Sequence, residues 1–286
     1  MSKIKSSRGA SFAVIFLIYA AASALGIAIY NAFDYHPFIS LLIADVSATV
    51  FTFVFSVIFR NSSVYDPYWS VQPIVIIVAC AVGEKITLLR FALLFAIIVW
   101  GVRLTSNWAY TFKGLDHQDW RYTLLEEKTG AFYPVINFIG IHMVPTFVVW
   151  GCTLPAFYAF KYGGEESPVS LIFVALSLFA VALQGSADFQ MHRYRKRRDG
   201  YFCRHGLWKR SRHPNYLGEI LMWWGIALSV IASYPEVWYL AAGACANTLM
   251  FFTISIPLAE GKQSAKPGYD QYKKETRALL PLMKRS

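Results

Sequence analysis

The sequence predicts an all-α integral membrane protein, a bundle of about eight transmembrane helices with both termini cytoplasmic. Three observations predict it. Of 286 residues, 56% are apolar or aromatic and 15% are charged, against about 45–50% and 25% in ordinary soluble domains, so too few polar groups exist to coat a water-facing surface. Aromatic residues make up 17% of the chain, with nine Trp, and Trp and Tyr gather at membrane–water interfaces. The apolar residues also fall in stretches close to the roughly 20 residues that a helix needs to cross the hydrocarbon layer.

Seven stretches qualify directly: 10–32, 38–59, 86–102, 131–159, 168–186, 216–233 and 237–258. An eighth, 69–82, is short and by length alone suits a re-entrant segment. Charge decides for a crossing. With eight spans, the N-terminus, 60–68, 103–130, 187–213 and the tail from 259 share one face and hold 24 of the 27 Lys and Arg residues. The other face keeps Lys85 and Lys161, Arg90 lies in a helix, and the opposite loops carry Asp34, Glu84, Glu165, Glu166 and Glu236. Seven spans would scatter the basic segments over both faces, against the positive-inside rule. The net charge of +10 thus reads as orientation in a membrane rather than as nucleic-acid binding. The first span follows Lys3, Lys5 and Arg8 but lacks a small-residue cleavage site, as an uncleaved anchor would. No linker or internal repeat stands out. Cys80, Cys152, Cys203 and Cys245 lack metal-ligand spacing, so neither a disulfide framework nor a metal site is expected. Residues 269–286 put Tyr269, Tyr272, Thr276 and Leu279 on one helical face amid Lys and Arg, which suits a short helix lying on the membrane or capping a cytoplasmic site.

The richest chemistry lies between Gln184 and Glu219. Gln184, Ser186 and Asp188 are followed by His192, Arg193, Arg195, Lys196, Arg197 and Arg198, then by Arg204, His205, Lys209, Arg210, Arg212 and His213. Nine Lys or Arg in the 27 residues of 187–213 exceed what orientation requires. One reading is a loop touching anionic lipid; the other is a pocket in which Arg forks hold a polyanionic cofactor. Pro214 suits the first turn of a helix, whose free N–H groups then face the cytoplasm as an anion site. Asn215 and Glu219 share a face one turn apart, and Gly218 admits a close neighbour. Glu219 lies about one turn inside the membrane, where a carboxylate needs a partner: an Arg of the loop, as a structural staple, or donors on a ligand. Asp66 beside Tyr68, and Arg103 with Asn107 a turn on, are candidates to line the same pocket. Asp45 reads as a helix–helix hydrogen bond, His142 as a packed hydrogen-bonding residue, and Arg90 as a snorkelling side chain. There is no Gly-x-Gly-x-x-Gly, so no Rossmann domain is expected.

Asp-Pro-Tyr-Trp-Ser at 66–70, Arg-Leu-Thr-x-Asn-Trp at 103–108, Arg-His-Pro-Asn-Tyr-Leu-Gly-Glu at 212–219 and Gly-Tyr-x-x-Tyr-x-x-x-Thr-Arg-Ala-Leu-Leu-Pro at 268–281 resemble the steroid 5-alpha-reductase family. The resemblance is to its bacterial branch, long catalogued as a domain of unknown function, over roughly residues 40–283. It implies an extra N-terminal transmembrane anchor at 1–37 and a reductase-like membrane domain at 38–286 with cytoplasmic NADPH-binding loops. The implied reaction passes hydride to a carbon–carbon double bond conjugated to a carbonyl in a lipophilic substrate such as a 3-oxo-4-ene steroid; another enone or enal, or a sterol ring olefin, would also serve. Asn215, Glu219, Asp188, Arg195 and Tyr272 correspond to cofactor residues of the family. Arg103, Asn107, His192, Arg198, Arg212, His213 and Tyr216 complete the expected cofactor collar. The family's catalytic carboxylate has its nearest equivalent in Asp66, with Tyr68 beside it, while Trp100 stands where the family has a tyrosine. The implied setting is a multi-pass inner or plasma membrane, with membrane lipid and a lipophilic small molecule as partners and no nucleic acid. The alternative is an S-adenosylmethionine-dependent membrane methyltransferase of the isoprenylcysteine or phospholipid kind. Those share Arg-His-Pro-x-Tyr-x-Gly but usually show paired Glu where Ala259-Glu260-Gly261 offers one. A non-catalytic lipid-binding or transport protein is the third possibility.

Overall fold

The computed structural model describes residues 2–197 and 200–281, so Arg198, one of the expected cofactor residues, lies outside the described part. The described residues form helices joined by short connections, with a single isolated bridge, Ser211 to Arg277, as their extended pairing. Eight segments are long and apolar enough to cross a membrane.

The first crossing, α1 (Arg8–Ala32), is capped by Ser7, and α2 (Pro37–Phe59) begins on a proline that needs no hydrogen-bond donor there. A 3₁₀ turn over Ser62–Tyr65 leads into α3 (Tyr68–Ala81), and the two together make a crossing segment of 20 residues. That turn supplies the length that 69–82 lacked. Next come α4 (Leu88–Thr111) and the interfacial α5 (Trp120–Thr129), each started by a side-chain cap from Thr87 and Asp119. The remaining crossings are α6 (Val144–Tyr162), α7 (Ser170–Arg197), α8 (Pro214–Ser233), and α9 (Ala242–Met250) continued as α10 (Ile256–Ser264). A short α11 (Tyr269–Glu275) follows.

Two π-helical stretches, Ile136–Met143 and Phe251–Ser255, interrupt the fifth and eighth crossings, each just ahead of a proline, Pro145 and Pro257. Proline cannot donate to the preceding turn and its ring crowds that turn's carbonyl. Widening the turn relieves the clash without breaking the helix.

The main core joins Ile77 of α3, Leu93, Ile97 and Trp100 of α4, Phe157 and Phe160 of α6, and Met222, Trp223 and Ile226 of α8. A second cluster joins Ile15, Ile18 and Tyr19 of α1 to Val64, Tyr65, Phe112 and Leu115; the Tyr19 hydroxyl donates to the Val64 carbonyl at 2.6 Å. The α7–α8 seam is tightly packed. A Cβ on Gly218 would stand 2.5 Å from Gln184 Cγ, and one on Gly225 would stand 2.2 Å from Ser177 Oγ. The neighbour that Gly218 admits is therefore Gln184. Arg90 does not snorkel: it is buried, and its guanidinium donates to the carbonyls of Ala159 (3.0 Å), Lys85 (2.9 Å) and Gly163 (3.3 Å), capping the end of α6.

Candidate functional site

Helices α4 and α7 outrun the expected ends at 102 and 186, reaching Thr111 and Arg197. Their extra turns are polar, and with α10 and α11 they enclose a cavity of about 440 Å³ at the basic face. Nine of the twelve expected cofactor residues line it: Asn107, Asp188, His192, Arg195, Arg212, His213, Asn215, Tyr216 and Tyr272. Arg103 stands just behind, its Nη1 2.6 Å from Asp188 Oδ2 and its Nε without a partner among the described residues. His192 Nε2 lies 2.8 Å from Asn107 Oδ1.

Several of these residues hold the cavity rather than face into it. Arg212 clasps Glu260 at 2.6 Å and donates to the carbonyls of Lys273 and Thr276. Glu260 also receives Lys273 at 2.9 Å and His213 at 3.3 Å, and the His213 ring stacks on Tyr216 at 5.1 Å. The Tyr272 hydroxyl donates to the Trp208 carbonyl, and the Arg212 and His213 amides donate to the carbonyls of Arg277 and Ala278. Together these bonds fasten the C-terminal segment over the cavity, but the single helical face expected from Tyr269 to Leu279 is not formed: the helix ends at Glu275, and Thr276 and Arg277 are extended, Arg277 bridging to Ser211.

The charges turned toward the cavity are Arg195, Lys262 and Lys266. Partial burial, with Arg195 nearby, holds the Lys266 ammonium below its ordinary value of 10.5. Burial, with Glu260 nearby, pushes the Tyr269 phenol up to about 12. Lys262 Nζ sits 3.8 Å over the Trp120 ring, a second aromatic face on the wall. Two buried acceptors at this wall, Asn215 Oδ1 and Gln263 Oε1, have no hydrogen-bond partner among the described residues. Lys262, Gln263, Lys266 and Trp120 escaped the sequence reading. The i, i+1, i+4 spacing of Lys262, Gln263 and Lys266 was the available signal, hidden because the apolar run ends at Leu258.

Glu219 departs from the expectation that an Arg or a ligand completes it. It is buried one turn behind Asn215 and is not part of the cavity wall. Its Oε1 accepts from Trp223 Nε1 at 3.0 Å and from Trp100 at 3.1 Å; its Oε2 accepts from Trp100 Nε1 at 2.9 Å and from Gln184 Nε2 at 3.0 Å. Neutral indole and amide donors saturate it.

Asp66 and Tyr68 do not form a pair. Helix geometry turns them apart: Asp66 accepts from the Tyr122 hydroxyl at 2.6 Å with Arg121 at 3.7 Å, at the foot of α5. Tyr68 points the other way and donates to Asp45 Oδ1 of α2 at 3.4 Å. The carboxylate beside Tyr68 is therefore Asp45. The two lie with Gln72 at one end of a second, mostly apolar cavity of about 280 Å³ between α1, α2 and α3. Asp45 Oδ2 and Gln72 Nε2 have no partner among the described residues, though both side chains are more than nine-tenths buried. Behind them runs a hydroxyl chain, Thr49 to Thr146 at 2.9 Å and Thr146 to Tyr65 at 2.7 Å, ending where Thr146 donates to the His142 carbonyl. His142 is packed against Tyr65, as a hydrogen-bonding core residue.

Fold and cavities define a multi-pass α-helical membrane protein with one basic and one apolar cavity. The chain matches the family described as "Protein of unknown function (DUF1295)" over residues 52–276, and it belongs to that family. It is also 26% identical over 221 residues to the uncharacterized protein C594.04c of Schizosaccharomyces pombe, a match covering 67% of this chain and 64% of that relative. The chain thus spans somewhat under two thirds of the yeast protein's length. No solved structure matches the chain.

Proposed function

We propose that this protein is a membrane-embedded, NADPH-dependent reductase that adds hydride to a carbon–carbon double bond conjugated to a carbonyl in a lipophilic substrate, the activity implied by its resemblance to the steroid 5-alpha-reductases. The basic-face cavity carries the reading. Arg195, Lys262 and Lys266 suit phosphates. Trp120, Tyr216 and Phe202 offer ring faces, and the lone acceptors Asn215 Oδ1 and Gln263 Oε1 suit the N–H donors of an adenine or a carboxamide. These residues fit NADPH, which when bound supplies the hydride.

The chain's own chemistry falls to the second cavity. Gln72 Nε2 is the unpaired donor available to a substrate carbonyl oxygen, where charge grows as the double bond is reduced, and the Tyr68 phenol joins it once its hydrogen turns from Asp45 to the substrate. Asp45 holds the Tyr68 hydroxyl in place. Tyr68 is followed by Trp69, whose ring lies 6.3 Å from Trp100, and Trp100 bonds Glu219 of α8. That row of side chains runs from Tyr68 at the apolar cavity to the turn of α8 behind Asn215. A collar of cations disfavours the positively charged S-adenosylmethionine of the methyltransferase alternative. The test is thermal melting of the detergent-purified protein with either ligand. A rise with NADPH and none with S-adenosylmethionine is expected, and the reverse would hand the protein to the methyltransferases.

A further inference from the structure

We infer that the smaller cavity admits an elongated lipid with an uncharged, oxygen-bearing head, from the membrane face opposite the basic cavity. As a statement about substrate this rests on the reductase reading; as a lipid site it stands alone. The cavity runs the length of α3, from Tyr68, the first residue of that helix, to Val82 just beyond its end. Fourteen residues at 1.5 Å each make a path of about 21 Å. A volume of about 280 Å³ spread along that path describes a long, narrow shaft, the shape of a single extended chain.

Its two ends differ chemically. The deep end holds Asp45, Tyr68 and Gln72, with one acceptor (Asp45 Oδ2) and one donor (Gln72 Nε2) unpaired. A hydroxyl satisfies both at once, and a carbonyl satisfies the donor. The middle is walled by Ala22, Gly26, Ala44 and Ala48, whose small side chains leave the shaft open. The far end reaches exposed Asn31, Val82, Glu84 and Lys161 at the face that carries few cations. A head entering there must pass the apolar middle to reach its partners, and no Lys or Arg lines the deep end. An anionic head would lose its hydration and face Asp45 without compensation, and a cationic head would leave the Gln72 N–H without an acceptor, so the head is neutral. The two ligands of the proposed reaction therefore approach from opposite faces.

Cys80 lines the outer half of the shaft and reports on its occupancy. In a Cys245→Ser background, which removes the other accessible thiol, the protein in phospholipid nanodiscs is treated with N-ethylmaleimide and its mass followed. Cys80 is expected to react when no ligand is added. Hexadecanol is expected to slow that reaction about fivefold or more at saturating amounts, whereas palmitate, with the same chain and a charged head, leaves it unchanged. Ala48→Leu fills the shaft and Gln72→Leu removes the head's donor, and either is expected to abolish the protection. A melting temperature close to that of the wild type certifies that each variant is folded. An unreactive Cys80 without ligand, equal protection by palmitate, or protection by cholest-4-en-3-one but not by hexadecanol would each overturn the inference. Protection by hexadecanol with no melting shift from NADPH would keep the lipid port and remove the reductase.

Discussion

A carboxylate buried among apolar helices must find donors, and Glu219 finds them in Trp100, Trp223 and Gln184. Glu219→Gln keeps the shape but turns an amide N–H₂ toward indole N–H groups. A loss of about 1–3 kcal/mol is expected, read as faster thermal unfolding in detergent, with nucleotide affinity changed less than by Lys266→Ala. An affinity loss without a stability loss would put Glu219 back at the ligand. Lys266 gives a second expectation. Its folded pKa lies below 10.5, so as pH rises it gives up its charge before an unperturbed lysine would, and a bound polyanion loses a partner. The NADPH dissociation constant should therefore rise from neutral toward alkaline pH, and Lys266→Arg, which stays charged, should flatten that rise. Sequence spacing made the stretch from Asp188 to Tyr216 legible because cations, an amide and a proline-started helix fall close together in the chain. Asp45 makes the helix–helix hydrogen bond that its place in an apolar span predicts, but its partner Tyr68 lies on another helix and only the fold identifies it.

The helices themselves were readable as apolar runs between basic segments, but where they end was not. Apolar length marks the membrane boundary, while α4 and α7 continue into water because their later turns are held by one another, through Arg103 to Asp188 and Asn107 to His192. The π-helical stretches were equally hidden, since a proline within an apolar run reads as a kink or a break. Close helix contact makes a direct test. Gly225→Ala puts a Cβ 2.2 Å from Ser177 Oγ and 2.7 Å from the Phe173 carbonyl, so a destabilisation of about 1–3 kcal/mol is expected. Gly261→Ala, with nothing within 4 Å, should be neutral or stabilising by about 0.5–1 kcal/mol. Differential scanning fluorimetry of the pair separates seam packing from a general intolerance of change. Arg212 fastens α11 and the extended segment after it, so Arg212→Lys, which cannot keep the forked contact with Glu260, should expose the region after residue 264 to limited proteolysis.

At the scale of the molecule, charge and apolarity are sorted to opposite ends: a basic cavity under the C-terminal segment, and an apolar shaft opening on the other face. Composition and the one-sided distribution of Lys and Arg were enough to read the bundle. The shaft was not legible, because it is lined by alanines and a glycine contributed by α1 and α2, residues with no signature of their own. The basic cavity is proposed to hold a dinucleotide phosphate, and isothermal titration of the purified protein with NADPH puts that proposal to the test. Saturable binding that weakens with salt, is weaker for NADH and falls by about tenfold or more in Arg195→Ala and Lys266→Ala is the expected result. No binding of NADPH, or binding indifferent to both substitutions, would contradict it.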